Sequence, residues 1–372
     1  MTLESLNIGI VGAVGRGKSF KAALNAFPQV RVQAVCDVRA DALSAAQADL
    51  GAREAYLDYD EMLAKSDLDA VVIGTPMQFH AAQTIAALER KLHVLCEVTA
   101  AVSLEECQAL VAAANRSPAV YMMAENYTYI KSNVLVKELA RLGLFGEIYY
   151  AEGEYIHELK ALNETTPWRR KWQTGIDGIT YGTHSLGPIL QCMPGDRVVR
   201  VSSEGSGHHY CDPRGDFYEN QDSCIMLAKT ERGALIKIRV DMLSNRPHAM
   251  TNYHLQGTHG CYESARGGPG DLNKIWLASH CPDPNTWLDL GSLEGDYLPE
   301  VWRNPSQAAL QSGHGGGDFF EVQDFLNCIL NETPCPIGIH EAMDMTLPGL
   351  ISQESIRQSG LWLEVPNSRF WI

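Results

Sequence analysis

The sequence predicts an α/β chain in two parts: an N-terminal half wound on a parallel sheet, then a second domain richer in strands. Three observations carry this. The apolar run Ile8-Gly9-Ile10-Val11 meets the turn Gly12-Ala13-Val14-Gly15-Arg16-Gly17, and a helical pattern follows through Phe27. Apolar runs then alternate with helical periodicity to about residue 125, as in consecutive βαβ units. Beyond that point the runs become β-branched or alternating, the period of strands.

Composition narrows the class. A chain of 372 residues is long enough for two domains and an ample core. The net charge of -15 argues against a nucleic-acid partner, which needs a basic footprint. It leaves room for a small anion held by a local basic cluster. No run approaches the ~20 apolar residues of a membrane span, so no membrane partner is expected. The first apolar run opens at Leu6, which leaves no room for a signal peptide. The ten cysteines are scattered without a CxxC pair, several of them in apolar contexts (Cys36, Cys107, Cys328). They read as reduced core residues of a cytoplasmic protein.

In chain order, Gly12 permits the tight turn, and the helix start at Gly15, Arg16 and Gly17 offers amides and a dipole to a pyrophosphate. Val14 stands where the GxGxxG fingerprint has its second glycine, so the loop is expected to sit differently. The run 30–36 ends at Asp37, placed for ribose hydroxyls; a carboxylate there favours NAD over NADP, although nearby Arg39 keeps NADP open. Asp37 could equally cap the helix from Ala40. The run 70–73 leads through Gly74 to Thr75 and Pro76. His80 begins the next helix, either as a cofactor-site residue or simply as a helix-start residue. His93-Val94-Leu95-Cys96 then ends in Glu97-Val98-Thr99, and ligands of open α/β sheets lie outside the carboxyl ends of the strands. The cofactor-site candidates are therefore Gly12, Val14, Gly15, Arg16, Gly17, Asp37, Thr75, Pro76, His80 and Glu97.

With these residues in hand, the chain resembles the Gfo/Idh/MocA oxidoreductases. The resemblance implies a Rossmann domain over 1–125. It further implies an α+β domain over 126–372, built on an open, mostly antiparallel sheet, with the C-terminal helix a candidate to pack back on the Rossmann part. Most members carry Glu-Lys-Pro where this chain has Glu97-Val98-Thr99, and their lysine assists proton transfer beside the nicotinamide. Valine can carry no proton. The stretch from Cys96 to Cys107 resembles the NAD-dependent glycoside hydrolase branch, α-N-acetylgalactosaminidase-like or sulfoquinovosidase-like. So do Ala124-Glu125-Asn126-Tyr127, Tyr155-Ile156-His157, Tyr181-Gly182-Thr183-His184 and His314-Gly315-Gly316-Gly317-Asp318.

The second domain shows a helix over 132–142, strand-like runs at 147–155, 198–204, 223–229, 234–242 and 251–257, and helices over 318–331 and 339–359. The strands can form one broad sheet with a face for substrate or for a second subunit. Tyr155 and His157 are two apart on a strand and share a face; they are either substrate contacts or part of a packed face. His184, after a glycine-rich stretch and before an apolar helix, is the leading catalytic candidate, since histidine takes and returns a proton near neutral pH. Relatives carry an acid four residues earlier, where this chain has Thr180, so Tyr181 is a candidate for part of that role. Trp168-Arg169-Arg170-Lys171-Trp172 is the densest basic cluster. It is either a solvated loop with aromatic anchors or an anion clamp, since guanidinium forks suit carboxylate, sulfonate or phosphate. Lys160, Arg246 and His248 could contribute. His254 and His259 read as having no chemical role. His208, His209 and Cys211 lack a completing ligand set, so no metal is expected.

The resemblance then implies a small-molecule glycoside as substrate. In the hydrolytic reading the C3 hydroxyl is transiently oxidised, C2 is deprotonated, and the C1 substituent leaves by elimination before water adds. His184 takes the C3 hydroxyl proton, Tyr155 or Tyr181 handles the C2 proton, and Glu125 and His157 hold the sugar. The basic cluster points to an anionic glycoside such as a sulfoquinovoside or uronide. A net sugar dehydrogenase and a non-catalytic NAD(H)-binding protein are the alternatives. Related proteins pair through the broad sheet, so a homo-oligomer (dimer or tetramer) is expected.

Overall fold

The computed structural model describes residues 5–371. The chain divides into two compact units. One holds the chain up to Ile130 together with Pro305–Met343 and the end from Ser368; the other holds Lys131–Asn304 and Asp344–Asn367.

The first unit begins with β1 (Leu6–Val11), α1 (Lys21–Asn25), β2 (Val30–Cys36), α2 (Ala40–Leu50), β3 (Glu54–Tyr56) and α3 (Tyr59–Lys65). It continues through β4 (Ala70–Ile73), α4 (His80–Glu89), β5 (His93–Glu97), α5 (Leu104–Arg116) and β6 (Tyr121–Ala124). The six strands form one parallel sheet in the order β3-β2-β1-β4-β5-β6. Helices cover both faces of such a sheet, so its strands are apolar throughout rather than alternating. Every residue of β4 is fully buried, and so are Val94, Leu95 and Cys96 of β5. Helix starts are capped locally: Asp58 accepts from the Glu61 amide and Ser103 from the Glu106 amide.

The second unit starts with α6 (Lys131–Arg141), β7 (Ile148–Ile156), α7 (Lys160–Thr165), α8 (Trp168–Trp172) and α9 (Thr183–Gln191). Then come β8 (Val198–Gly205), β9 (Cys224–Thr230), β10 (Leu235–Asp241), β11 (Met250–Gly257), β12 (Gly260–Glu263), β13 (Lys274–Leu277) and β14 (Leu288–Asp289). Two single turns, α10 (Glu294–Tyr297) and α11 (Glu300–Arg303), precede the return to the first unit with α12 (Gln307–Gln311) and α13 (Gly317–Leu330). After α14 (Ile339–Arg357), β15 (Leu363–Glu364) closes the sheet edge. The nine strands run β14-β13-β12-β11-β7-β10-β9-β8-β15, all antiparallel except the parallel pair β7·β10. Burial alternates along β9 and β10: Cys224, Met226, Ala228, Ile236 and Ile238 point into the core. The opposite face is open and carries Glu152, Lys237, Arg239, Ile225 and Leu227.

Two features differ from the sequence reading. The expected five strands of the second sheet are present, joined by β12–β15, which are too short to show a period. Beyond the split expected at residue 125, the chain also returns to the first unit. Residues 305–343 fold with the first unit because their side chains are completed there. Phe319 stacks on Phe27 with ring centroids 5.3 Å apart. The Met123 amide donates to the Ile337 carbonyl at 3.0 Å. The Tyr129 hydroxyl donates to Asp324 at 2.9 Å.

Candidate functional site

In the first unit the glycine turn lies main chain to main chain against the exit of β4. Gly12 has φ of +76°, and a Cβ there would sit 2.5 Å from the Gly74 carbonyl oxygen; one on Gly74 would sit 2.6 Å from the Gly17 nitrogen. Neither position tolerates a side chain. Val14 carries no such constraint, and its amide donates to Asp37 Oδ2 at 2.8 Å. The other Asp37 oxygen accepts from the Arg39 amide at 3.1 Å and its Nε at 3.2 Å. Asp37 therefore seats the altered loop as well as ending β2. A glycine cradle, a helix start and a buried acid at the end of the second strand fit a dinucleotide.

Two candidates act through other groups. His80 is 1% exposed, and its ring nitrogens lie 2.7 Å from the Thr99 carbonyl oxygen and 2.8 Å from that of Thr75. Carbonyls only accept, so both nitrogens donate and the ring is an imidazolium. Burial alone would lower its pKa, but Cys96 and the two carbonyls outweigh this and push it up to about 9. The ring braces the turns after β4 and β5, which corrects its reading as a cofactor contact. The Thr75 hydroxyl donates to Gln83 at 2.6 Å.

Arg16 is the centre of the strongest network. Its Nε donates to Glu97 Oε1 at 2.5 Å, and its Nη1 and Nη2 donate to the two oxygens of Asp318 at 2.9 and 3.1 Å. His314 Nδ1 lies 2.9 Å from Asp318 Oδ1. The Asn126 amide nitrogen lies 3.1 Å from the same His314 nitrogen. Burial alone would raise the Asp318 pKa; the bonds from His314 and Arg16 instead hold it well below the usual carboxylate range. Glu321, one turn along α13, is fully buried with neither oxygen hydrogen-bonded. Burial, with Asp318 and Glu97 nearby, pushes its pKa well above the usual carboxylate range. Sequence reading assigned no role to His314, Asp318 or Glu321, and the only signal was the recurrence of the His-Gly-Gly-Gly-Asp motif. The His314 imidazole is thus oriented by a buried aspartate and is one-third exposed. Glu125 also lies in this unit, wholly buried, with Oε1 accepting from the Tyr127 amide at 3.2 Å.

In the second unit Tyr155, Tyr181 and His184 form a ring cluster. Centroid separations are 5.5 Å for Tyr155–Tyr181, 5.4 Å for Tyr155–His184 and 5.2 Å for Tyr181–His184. The backbone explains it. A Cβ on Gly153 would lie 2.2 Å from the Ser185 carbonyl oxygen, so this glycine lets α9 settle on β7 and brings His184 beside Tyr155. Pro188 has no N–H to give the carbonyl four residues back, which is that of His184. The Tyr253 hydroxyl supplies that bond at 2.5 Å.

The Tyr155 hydroxyl lies 2.9 Å from His157 Nδ1, and His157 packs edge-on to His248 at 5.0 Å. Burial, then the charges of His248, Arg169 and His184, lower the His157 pKa to about 4. The ring is neutral at neutral pH, with one nitrogen free to accept and the other to donate.

The five-residue basic cluster forms α8 and separates into three fates. Arg170 pairs with Asp212 at 3.2 Å and with Glu219, and lies over the Tyr218 ring. Its charge is already matched, which corrects its place in an anion clamp. Lys171 is exposed and lies 5.2 Å from the Trp172 ring centroid. Arg169 stacks on Trp168 at 4.4 Å and donates to Gln173 at 2.7 Å, while its buried Nε has no hydrogen-bond partner. Of the three cations, it is the one whose charge helps to depress the His157 pKa. Lys160 is engaged by Asn245 at 2.8 Å and Glu158 at 3.1 Å. His209 pairs with Asp222. Among the described residues, no group of three or more His, Cys, Asp or Glu side chains is arranged to hold a metal, and none of the ten cysteines is in a disulfide.

Comparison with known proteins agrees along nearly the whole chain. Residues 6–125 match the oxidoreductase family with an NAD-binding Rossmann fold, and residues 129–369 match the C-terminal domain of glycosyl hydrolase 109. A glycosyl hydrolase family 109 protein of Saccharopolyspora erythraea is 29% identical over 98% of this chain and 83% of its own length. One from Shewanella pealeana is 28% identical over 98% and 86%. Among solved structures, a levoglucosan dehydrogenase in complex with NADH and levoglucosan superposes with a TM-score of 0.83 at 21% identity, covering 97% of this chain and 100% of that one. The WlbA dehydrogenase from Bordetella pertussis, in complex with NADH and UDP-GlcNAcA, gives 0.79 at 21%, covering 98% and 99%. The cofactor is NAD. No helix among the described residues is long and apolar enough to cross a membrane. The glycine turn with its strap of ion pairs and the Tyr-x-Thr-His cluster thus fall in two matched segments, and the chain belongs to glycosyl hydrolase family 109, with the Rossmann domain of the Gfo/Idh/MocA oxidoreductases.

Proposed function

We propose that this protein is an NAD-dependent glycosidase with no net redox change, acting on an anionic glycoside. The observation that carries the reading is the Tyr155–Tyr181–His184 cluster in a chain whose Val98 replaces the proton-carrying lysine. Bound NAD supplies reversible hydride storage at substrate C3, and the resulting ketone acidifies the C2 hydrogen. His184 takes the C3 hydroxyl proton and later returns it. Tyr155 or Tyr181 removes the C2 proton, the C1–oxygen bond breaks with departure of the aglycone, water adds at C1, and the same group reprotonates C2. Glu125 and His157 hold sugar hydroxyls. Arg169, with Trp168 beneath it, and the exposed Lys171 receive the anionic group of the sugar; Arg170, matched by Asp212 and Glu219, does not. Gly12, Gly15, Gly17 and Asp37 hold the dinucleotide.

The dehydrogenase names of the solved neighbours favour a second reading, a net sugar dehydrogenase on the same residues. Incubation of the pure protein with neutral and anionic chromogenic glycosides, with and without added NAD+, separates the two. Aglycone release without NADH accumulation is expected, and Arg169→Ala should raise KM for the anionic substrates alone. Stoichiometric NADH without bond cleavage would establish the dehydrogenase instead. NADH binding without any turnover would make the protein a non-catalytic member. His184→Ala should abolish turnover and spare NADH binding. The open face of the nine-stranded sheet is assigned to self-association, and the protein to the cytoplasm.

A further inference from the structure

In the order β3-β2-β1-β4-β5-β6, β1 and β4 are neighbours whose crossovers run in opposite directions, so the sheet has its switch point between them. Ligands of such sheets bind in the crevice outside the strand ends there. Three exit loops ring it: the glycine turn after β1, residues 74–76 after β4, and residues 97–99 after β5. Arg16 leaves the first of these loops and its Nε is bonded to Glu97 in the third. Its side chain therefore spans the exit of the intervening β4. The other edge of the guanidinium is forked onto Asp318 at the start of α13, a carboxylate with no exposure that His314 and Asn126 also hold. Arg16 keeps about a quarter of its side chain exposed, whereas the two carboxylates it bridges are buried.

We propose that Arg16, clamped between Glu97 and Asp318, is a latch on NAD(H) exchange, a positioning residue that keeps the cofactor resident between turnovers. Charge-assisted bonds are the strong ones, and the fork fixes geometry as well. Opening the latch breaks three of them and leaves a fully buried carboxylate without its counter-ion, which disfavours the open state. Exchange then proceeds only through that minor population. Lysine at position 16 could reach one carboxylate but not clasp both. The latch rests on the reading above in one respect: a reaction with no net redox never needs its cofactor released, whereas a net dehydrogenase must release NADH every cycle.

The test uses the full chain without substrate. The protein is loaded with NADH, excess NAD+ is added, and the loss of bound-NADH fluorescence gives koff. Arg16→Lys should raise koff about tenfold and Arg16→Ala up to about a hundredfold, the range for losing one or more bonds to charged groups. Asp318→Asn should raise koff in the wild-type background but add nothing in Arg16→Ala, because the two act as one unit. Thermal midpoints recorded alongside separate a fold defect from a latch defect, with Arg16→Lys expected to stay near wild type. An unchanged koff in Arg16→Ala overturns the latch, whatever happens to the association rate. So does a simple product of the two single effects. Net NADH production in the glycoside assay would instead overturn the hydrolytic reading and leave the measured koff standing.

Discussion

Tyr253 closes the hydrogen-bond gap that Pro188 opens at the His184 carbonyl. Tyr253→Phe removes that hydrogen bond, a loss of about 0.5–1.5 kcal/mol. It should lower kcat more than it raises KM, since it acts on the placement of His184. Pro188→Ala restores a helical N–H at that point, so the double variant should recover much of the lost rate; a double variant no better than Tyr253→Phe would refute the link. His157 offers a pH test. Its pKa is about 4 in the folded chain, against an ordinary 6.5, so the fold favours the neutral ring. The unfolded chain gains a proton first as pH falls, so this contribution is whole above about 6.5 and is lost progressively down to about 4. His157→Gln should flatten that part of the difference in Tm against pH. Parallel curves for the two proteins would show that the ring does not titrate as its surroundings (His248, Arg169, His184 and Glu158) imply.

At the scale of elements, the contact of α9 with β7 depends on Gly153. Gly153→Ala places a Cβ 2.2 Å from the Ser185 carbonyl oxygen and must push the helix off the strand. Overpacking of this kind costs about 1–3 kcal/mol, and displacing His184 by about 1 Å should cost on the order of a hundredfold in kcat. NADH affinity should hold; a variant with normal kcat would show that α9 has slack. The same elements show what a sequence discloses. The six strands of the first sheet are readable because burial on both faces makes them continuous apolar runs between glycine turns and helices. The ends of β7, β9, β10 and β11 are readable to within a residue or two because one open face forces alternation. β14 and β15, two residues each, are too short to have a period. Tyr155, Tyr181 and His184 stand out by motif, but nothing in Tyr253 or Asp318 announces a partner at sequence distances of 69 and 302 residues. The fate of Arg170 was equally hidden, because Asp212 and Glu219 lie some 40 to 50 residues away.

At the scale of the whole molecule, the open face of the nine-stranded sheet mixes Glu152 and Glu154 with Lys237, Arg239 and Arg266. Ile225 and Leu227 are exposed among them at 42% and 37%. A face carrying both signs of charge and apolar side chains suits a second copy of itself across a two-fold axis. Light scattering after gel filtration should give a dimer or tetramer, and the pair Ile225→Glu and Leu227→Lys should shift it to a smaller species. A wild-type monomer at micromolar concentration would remove the assignment.

The pairing of Arg16 with Asp318 also sets an order on biosynthesis. At about 5–20 residues per second, the 302 residues between them take a ribosome roughly 15 to 60 seconds. The sixth strand of the parallel sheet is complete once Ala124 is made, long before the carboxylate that clasps the glycine turn. The proposed latch can therefore close only once the last sixth of the chain has been made.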